Sequence, residues 1–288
     1  MNKLTVESVG VLALLQDRGR RGLAHLGVGQ SGAADRASFG LANRLVGNQP
    51  GAPCIELTLG RMSFRVAEPA LIAVTGAPTP ISCGGRQCGP NAAFVARAGD
   101  SVTIGAATDG LRTYVAVRGG LVGQAVLGSM SWDTMAQLGT PPLQPGDVLE
   151  FGEAQDHWPA VDFAPTARMC TRVLRLPLLL GPRDDWFTDA ALARLACGEF
   201  IVTSDTDRVG IRLDGPDLPR RRTGELASEG VVLGALQVPT RGRPTLFLAD
   251  RPVTGGYPVI GVVPERAVDA AAQAVPGSRI RFAPYRLR

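Results

Sequence analysis

This sequence predicts a mainly β protein with many turns, and three observations carry the prediction. Glycine and proline are abundant, 36 and 22 of 288 residues, and both punctuate chains that reverse direction often. Short runs rich in valine and leucine recur at even spacing, whereas long apolar periods of the helical kind are few. The third signal is a recurring unit. Ala98-Gly99-Asp100 leads into 101–105, Pro145-Gly146-Asp147 into 148–152, and Pro276-Gly277-Ser278 into 279–283. Each joins a tight turn of small residues to strict polar/apolar alternation, the pattern of a half-buried strand. The repetition suggests one way of closing a sheet, used more than once.

Taken in order, residues 10–60 open with a strand and a turn. Phe39, Leu41, Ala42, Leu45 and Val46 then fall at roughly helical spacing, beginning near Asp35 and stopping before Gly47-Asn48, so a helix is expected over 34–46. Ser31 and Asp35 either cap that helix or, with Gly32-Ala33-Ala34, present backbone N–H groups to an anion. Strands are expected at 55–59, 62–66, 71–75, 92–95, 101–104 and 112–117, an even spacing that suits a barrel or sandwich. Residues 127–134 form a polar loop carrying the hydroxyls of Ser129, Ser131 and Thr134. The acidic, proline-containing stretch 155–167 reads as an interdomain connection, with the boundary near 165.

The second half opens with an apolar strand, 173–180, and a short helix, 188–196, capped by Thr188 or Asp189. Asp205, Asp207, Arg208, Arg212 and Asp214 surround Val209-Gly210-Ile211. Such alternation is either a structural ion-pair network or a surface facing a carboxylate or phosphate, which arginine's planar fork suits. Polar information concentrates in 226–258. There, Ser228-Glu229-Gly230 precedes an apolar strand at 231–236 and Gln237-Val238-Pro239. A turn at Arg241-Gly242-Arg243-Pro244 and a strand at 245–249 lead to Asp250-Arg251, and Thr254-Gly255-Gly256-Tyr257-Pro258 follows. Two glycines beside a threonine and a tyrosine suggest backbone held close to another group. A hairpin loop with a surface salt bridge is the alternative.

Composition excludes several functions. A chain of 288 residues buries roughly three quarters of its unfolded surface, so a proper core is expected. The apolar runs fall far short of the ~20 residues of a membrane span, and the first residues lack the basic head and cleavage site of a leader. The expectation is a soluble cytoplasmic protein with no membrane partner. Cys54, Cys83, Cys88, Cys170 and Cys197 are odd in number and scattered, which fits neither a disulfide framework nor a zinc site. His25 and His157 are the only histidines, so a histidine-rich metal centre is excluded, and no metal ligands are assigned. Lys3 is the only lysine, which rules out a GxxxxGK[ST] phosphate loop, an interior Schiff base and an internal biotin anchor. Net charge is +4 and the one cationic cluster, Arg220-Arg221-Arg222, lies in a proline-rich stretch that reads as a solvated loop. With aromatics at 5%, a basic stripe with stacking platforms for nucleic acid is not available.

Many short motifs, in order, carry a resemblance. They include Gln16-Asp17, Ser31-Gly32-Ala33 with Asp35, 41–48 (LANRLVGN), Gly110-Leu111-Arg112 with Tyr114, and Leu127-Gly128-Ser129. Others are Asp207-Arg208-Val209-Gly210 with Arg212-Leu213, Ser228-Glu229-Gly230, Gln237-Val238-Pro239, Thr254-Gly255-Gly256-Tyr257-Pro258 and Pro276-Gly277. Nearly end to end, the chain resembles the C-type subunit of bacterial 5-oxoprolinase, also called the KipA or allophanate hydrolase subunit 2 family. That family's domain is the A/B part of the carboxyltransferase module of urea carboxylase.

The resemblance implies two tandem cyclophilin-like β-barrels with a few short helices, here 1–165 and 166–288, with strand exchange between them allowed for. It further implies a subunit that is inactive alone. This subunit would act with a B-type partner (KipI or allophanate hydrolase subunit 1-like) and an A-type partner (LamB/YcsF-like) to open 5-oxoproline to glutamate with ATP and Mg2+. Asp35, Glu229 and Asp250 are then the candidate catalytic carboxylates. Ser31, Arg208, Arg212, Gln237, Arg251, Thr254, Gly255, Gly256 and Tyr257 are the candidate substrate-binding residues. Two departures stand out. Met130 and Trp132 occupy places where arginine and threonine are common, which argues against that loop as a grip for an anion. Arg251 stands where some members carry histidine, so no general base follows Asp250 directly. Two other roles fit the same family: transfer of a carboxyl group from carboxybiotin, borne by a separate carrier, to urea or another amide, and a KipA-like regulator that antagonises an inhibitor of a histidine kinase.

Overall fold

A computed structural model describes residues 2–154, 158–165, 173–222, 224–240 and 242–286. His157, Cys170, Arg241 and the parts 155–157 and 166–167 of the expected connection at 155–167 lie outside the described residues. The chain is mainly β and divides into two compact units. Met1–Arg20, Ser31–Asp133 and Gln137–Cys170 form the first, and Arg21–Gln30, Thr134–Ala136 and Thr171–Arg288 the second. Two short segments from the first half of the sequence, 21–30 and 134–136, thus group with the second unit.

The first unit holds two antiparallel sheets. In the larger, the strand order is Leu121–Val122, Val148–Phe151, Lys3–Val9, Gly60–Val66, Ser101–Ala106, Ile81–Cys83 and Arg86–Cys88. The smaller runs Leu12–Gln16, Cys54–Thr58, Arg112–Val117, Ala70–Gly76 and Ala93–Ala96. Alternation sets which side chains enter the core. Met62, Phe64 and Val66 of Gly60–Val66 are buried while Arg61 and Arg65 face water. Arg112–Val117 is buried throughout because both its faces are covered. Val115 and Val117 enter the main core, and Tyr114 and Ala116 meet the helix α1 (Arg36–Leu45) through Phe39 and Ala42. Phe39 and Tyr114 pack edge to face, 6.2 Å between centroids.

The second unit contains a closed barrel. Its strands run Val173–Leu180, Val259–Val262, Ala235–Gln237, Thr245–Phe247, Gly210–Asp214, Phe200–Val202 and Arg279–Tyr285, the last pairing in parallel with the first. Leu176, Leu178, Phe200, Ile211, Leu246, Ile280 and Phe282 fill it, and two helices, α2 (Asp189–Cys197) and α3 (Glu265–Ala271), pack Leu195 and Val268 into the same cluster.

All three turn-and-strand units are strands preceded by a left-handed glycine. Gly99, Gly146 and Gly277 have φ of 82°, 96° and 87°, a region costly for residues with a Cβ. The helices expected near 34–46 and 188–196 are present, and Thr188 caps α2 by accepting from the Ala191 N–H at 3.1 Å. One expected strand is shorter than its apolar run. Of 231–236, only the end joins the barrel strand Ala235–Gln237, because the chain turns at Gly234, where a Cβ would meet the Val263 carbonyl oxygen at 2.2 Å. The helix α3 is not foreshadowed, since Pro264 precedes it and supplies no side-chain cap. No helix among the described residues is long and apolar enough to cross a membrane.

Candidate functional site

In the second unit, the loop that follows Asp250 is held by three neighbours. Glu229-Gly230 pairs antiparallel with Thr254-Gly255. Gln237, at the end of its barrel strand, donates from Nε2 to the Tyr257 carbonyl at 3.0 Å, and the Val238 N–H donates to the Pro258 carbonyl at 3.0 Å. Arg251 reaches back to donate from Nε to the Val231 carbonyl at 3.3 Å. A Cβ on Gly255 would lie 2.7 Å from Gln237 Nε2, so the glycine lets the Gln237 amide lie close against the loop backbone. Glu229 forms a bidentate pair with Arg183. That hydrogen bond holds the Glu229 carboxyl below its ordinary range and raises the Arg183 guanidinium. The structure therefore brings together Glu229, Gln237, Arg251, Thr254, Gly255, Gly256 and Tyr257.

Tyr257 is 47% exposed and borders two cavities of this unit. The larger, about 910 Å³, is lined by Arg220, Arg222, Leu218, Leu226, Gly256 and Tyr257, with others. The smaller, about 400 Å³, includes Arg212, Asp205, Thr203 and Thr245, and shares Thr240 and Tyr257 with the first. Apolar side chains interspersed with arginines, carboxylates and hydroxyls line both cavities, and convergent polar groups of this kind are a feature of small-molecule sites. Arg220 is the residue that reading the sequence misses. It is half-buried, donates from Nη2 to the Val238 carbonyl, and sets its guanidinium 5.8 Å from the Tyr257 ring centroid. Burial lowers its proton affinity. Three consecutive arginines look alike in sequence, and the only local hint was the apolar Leu218 and Pro219 before them.

Arg208 and Asp250 are placed otherwise. Both side chains are buried, with Arg208 Nε and Nη2 at 2.9 and 3.0 Å from the Asp250 carboxylate oxygens. The same carboxylate accepts from Thr134 N–H at 3.0 Å and Thr134 Oγ1 at 2.8 Å. Neither residue lines the two cavities. The pair fixes residues 134–136 to the barrel, and its charges are consumed in doing so.

Ser31 and Asp35 belong to the first unit. Asp35 caps α1, accepting from Ser38 N–H at 2.9 Å and Ser38 Oγ at 2.6 Å. Its own N–H donates to the Tyr114 hydroxyl oxygen at 2.7 Å, and that hydroxyl donates to Glu56 Oε2 at 2.8 Å. Glu56 Oε2 also accepts from the Ala34 N–H at 3.0 Å, and Arg112 lies 3.8 Å from Glu56 Oε1. Burial, then the nearby carboxylates, keep the Tyr114 phenol protonated far above its ordinary range. Ser31 is fully buried and donates to the Trp132 carbonyl at 3.1 Å. The polar loop spends its hydroxyls internally: Asp17 accepts from Ser129 Oγ and Ser131 Oγ, each at 2.6 Å, while Met130 is a core residue.

Among the described residues, no group of three or more His, Cys, Asp or Glu side chains is arranged to hold a metal ion. Of the three candidate carboxylates, Glu229 and Asp250 are engaged by arginine and Asp35 by the Ser38 N–H and hydroxyl, and no step is routed through a Mg2+-nucleotide on this chain.

Residues 26–284 match the family described as carboxyltransferase domain, subdomain A and B. The C-type subunit of 5-oxoprolinase from Escherichia coli (strain K12) is 30% identical over 282 residues, covering 97% of this chain and 90% of that protein. The crystal structure of TTHA0988 superposes with a TM-score of 0.89 at 36% identity, covering 98% of this chain and 56% of that one. The K. lactis urea amidolyase superposes with a TM-score of 0.90 at 28% identity, covering 98% of this chain but 18% of that one. The chain thus spans about half, or less, of these solved structures.

Proposed function

We propose, from the premise that the chain belongs to the carboxyltransferase-domain family of subdomains A and B, that it is a subunit of an ATP-dependent 5-oxoprolinase. One observation carries this choice within the family. The likeness to the C-type subunit of 5-oxoprolinase runs over 90% of that protein, whereas the urea amidolyase exceeds this chain several-fold in length. In this reading other subunits complete the chemistry, and the B-type and A-type partners belong to the proposal.

The reaction opens a lactam. Amide resonance makes direct attack of water on the carbonyl slow, and phosphorylation of the carbonyl oxygen gives a better electrophile. In this reading, nucleotide and Mg2+ act on partner subunits, and this chain orients the lactam. Gly255 and Gly256 allow close approach of backbone, Gln237 fixes that backbone, and Tyr257 offers a hydroxyl and a ring face at the cavity rim. Arg212 contributes a cation to the smaller cavity. Glu229, held ionised by Arg183, serves as an acceptor and not as an acid. Arg208, Asp250, Asp35 and Ser31 act by positioning the loops they hold.

The test is ATP-dependent glutamate release from 5-oxoproline by the purified chain mixed with B-type and A-type partners. Release that requires this chain supports the proposal, and release unchanged by its omission overturns it. The second reading, carboxyl transfer to an amide, is favoured by the fold shared with urea amidolyase. Because Lys3 is the only lysine, that reading requires a separate biotin carrier, and carboxylation of urea with such a carrier would establish it.

A further inference from the structure

The larger cavity carries a charge pattern that identifies what it takes. Of the three consecutive arginines beside it, two already have carboxylates: Arg221 with Asp189 at 3.0 Å and Arg222 with Asp185 at 2.7 Å. Arg243, at the neighbouring cavity, lies 3.5 Å from Asp214. Arg220 differs. It has no carboxylate among the described residues, its Nη2 is committed to the Val238 carbonyl, and its Nε is buried without a hydrogen-bond partner. A guanidinium has five donors in a planar fork that matches a carboxylate. Arg220 is half-buried, so part of its hydration is lost without a counter-ion, and an anion entering the cavity offsets that part.

We propose that Arg220 is the receptor for the carboxylate of a small monoanionic ligand that lies in this cavity against Leu218, Leu226 and Tyr257. The inference deepens the 5-oxoprolinase reading and rests on it for the identity of the ligand, not for the receptor role. The lining charges select the ligand class. Asp217 and Glu225 line the same cavity as Arg220 and Arg222, so the formal charges of these four residues cancel. A polyphosphate would meet two carboxylates, whereas a monocarboxylate whose remaining groups include an N–H donor meets a cation and acceptors together. An amide or lactam acid has that pattern, and a nucleotide does not.

The experiment is a set of titrations of the full-length chain, followed by calorimetry and by NMR chemical shifts. The probes are 5-oxoproline, 2-pyrrolidinone (the same ring without its carboxylate), N-acetylglycine and ATP. The variants are Arg220→Gln, Arg220→Lys and Arg221→Gln, the last an exposed neighbour already paired with Asp189. The expected result is binding of 5-oxoproline or N-acetylglycine that weakens at least about tenfold in Arg220→Gln, the scale of one lost charge-assisted hydrogen bond. Arg220→Lys should recover part of it, Arg221→Gln should leave it unchanged, and 2-pyrrolidinone and ATP should bind weakly and without regard to Arg220. Binding of N-acetylglycine but not 5-oxoproline, still dependent on Arg220, would uphold the receptor and sink the 5-oxoprolinase reading. Carboxylate binding equal in wild type and Arg220→Gln, or absent from the wild type, overturns the proposal. A melting temperature of Arg220→Gln matching that of Arg221→Gln excludes loss by misfolding.

Discussion

The polar groups around Glu56 in the first unit and those around Tyr257 in the second have similar chemistry and opposite accounts. Near Glu56, a carboxylate, a phenol, an arginine and two backbone N–H groups are almost wholly buried, and each of the hydrogen bonds described satisfies another member. Near Tyr257, an arginine with no carboxylate among the described residues and a half-exposed phenol border about 910 Å³ of space. A closed network of buried polar groups holds a chain in place, because each member would be costly to leave alone. An open one beside a cavity leaves donors for a ligand. The identity of a polar residue therefore says less about its task than whether its partners are already present.

The contrast breaks most easily where the closed type is most buried. Asp250→Ala removes the carboxylate that pairs with the buried Arg208 guanidinium, and should destabilise the second unit by about 3–5 kcal/mol. Denaturant unfolding followed by Trp fluorescence would show it. Tyr114→Phe removes the hydroxyl that links Asp35 to Glu56 and should cost about 1–3 kcal/mol in the same measurement. An unchanged midpoint in either variant would remove that group from the structural class.

The smallest effect is a matter of pH. The Glu229 carboxyl has a folded pKa below its unfolded value, owing to the hydrogen bond from Arg183. Its contribution is therefore fully present above the ordinary glutamate range and disappears as pH falls through the lower, folded pKa. The melting temperatures of wild type and Glu229→Gln should differ near neutrality and converge in acid, with only a modest gap because the pair is part-exposed. A gap that widens in acid would contradict the assignment of Glu229 as an ionised acceptor.

Much of the fold was legible in the sequence, for reasons that lie in particular residues. Period-two alternation after Gly99, Gly146 and Gly277 fixed three strands because the turn needs positive φ and the strand has one wet face. Asp35 and Thr188 announced two helices because their side chains satisfy N–H groups at the first turn. The helix at Glu265–Ala271 lacks that signature, being short and preceded by Pro264. The run 231–236 misled because continuous apolar residues carry no period, and Gly234 turns the chain inside it. Of the site, the glycine-tyrosine loop with Gln237 and Glu229 was visible as a dense polar stretch. What the sequence hid was partnership. Asp250 meets Arg208 from 42 residues away and Thr134 from 116, and Arg220 is distinguished from Arg221 and Arg222 only by where the barrel and its loops bury it.

The most direct test of the distinction between closed and open polar groups measures activity and stability on the same variants. In the assembly reconstituted with B-type and A-type partners, Tyr257→Ala should lose at least about tenfold in kcat/KM for 5-oxoproline, a transition-state cost near ~1.4 kcal/mol, while its melting temperature stays at the wild-type value. Tyr114→Phe should do the reverse, melting lower while kcat/KM stays within about twofold. Equal loss of kcat/KM in both variants, or full activity in Tyr257→Ala, would contradict the account.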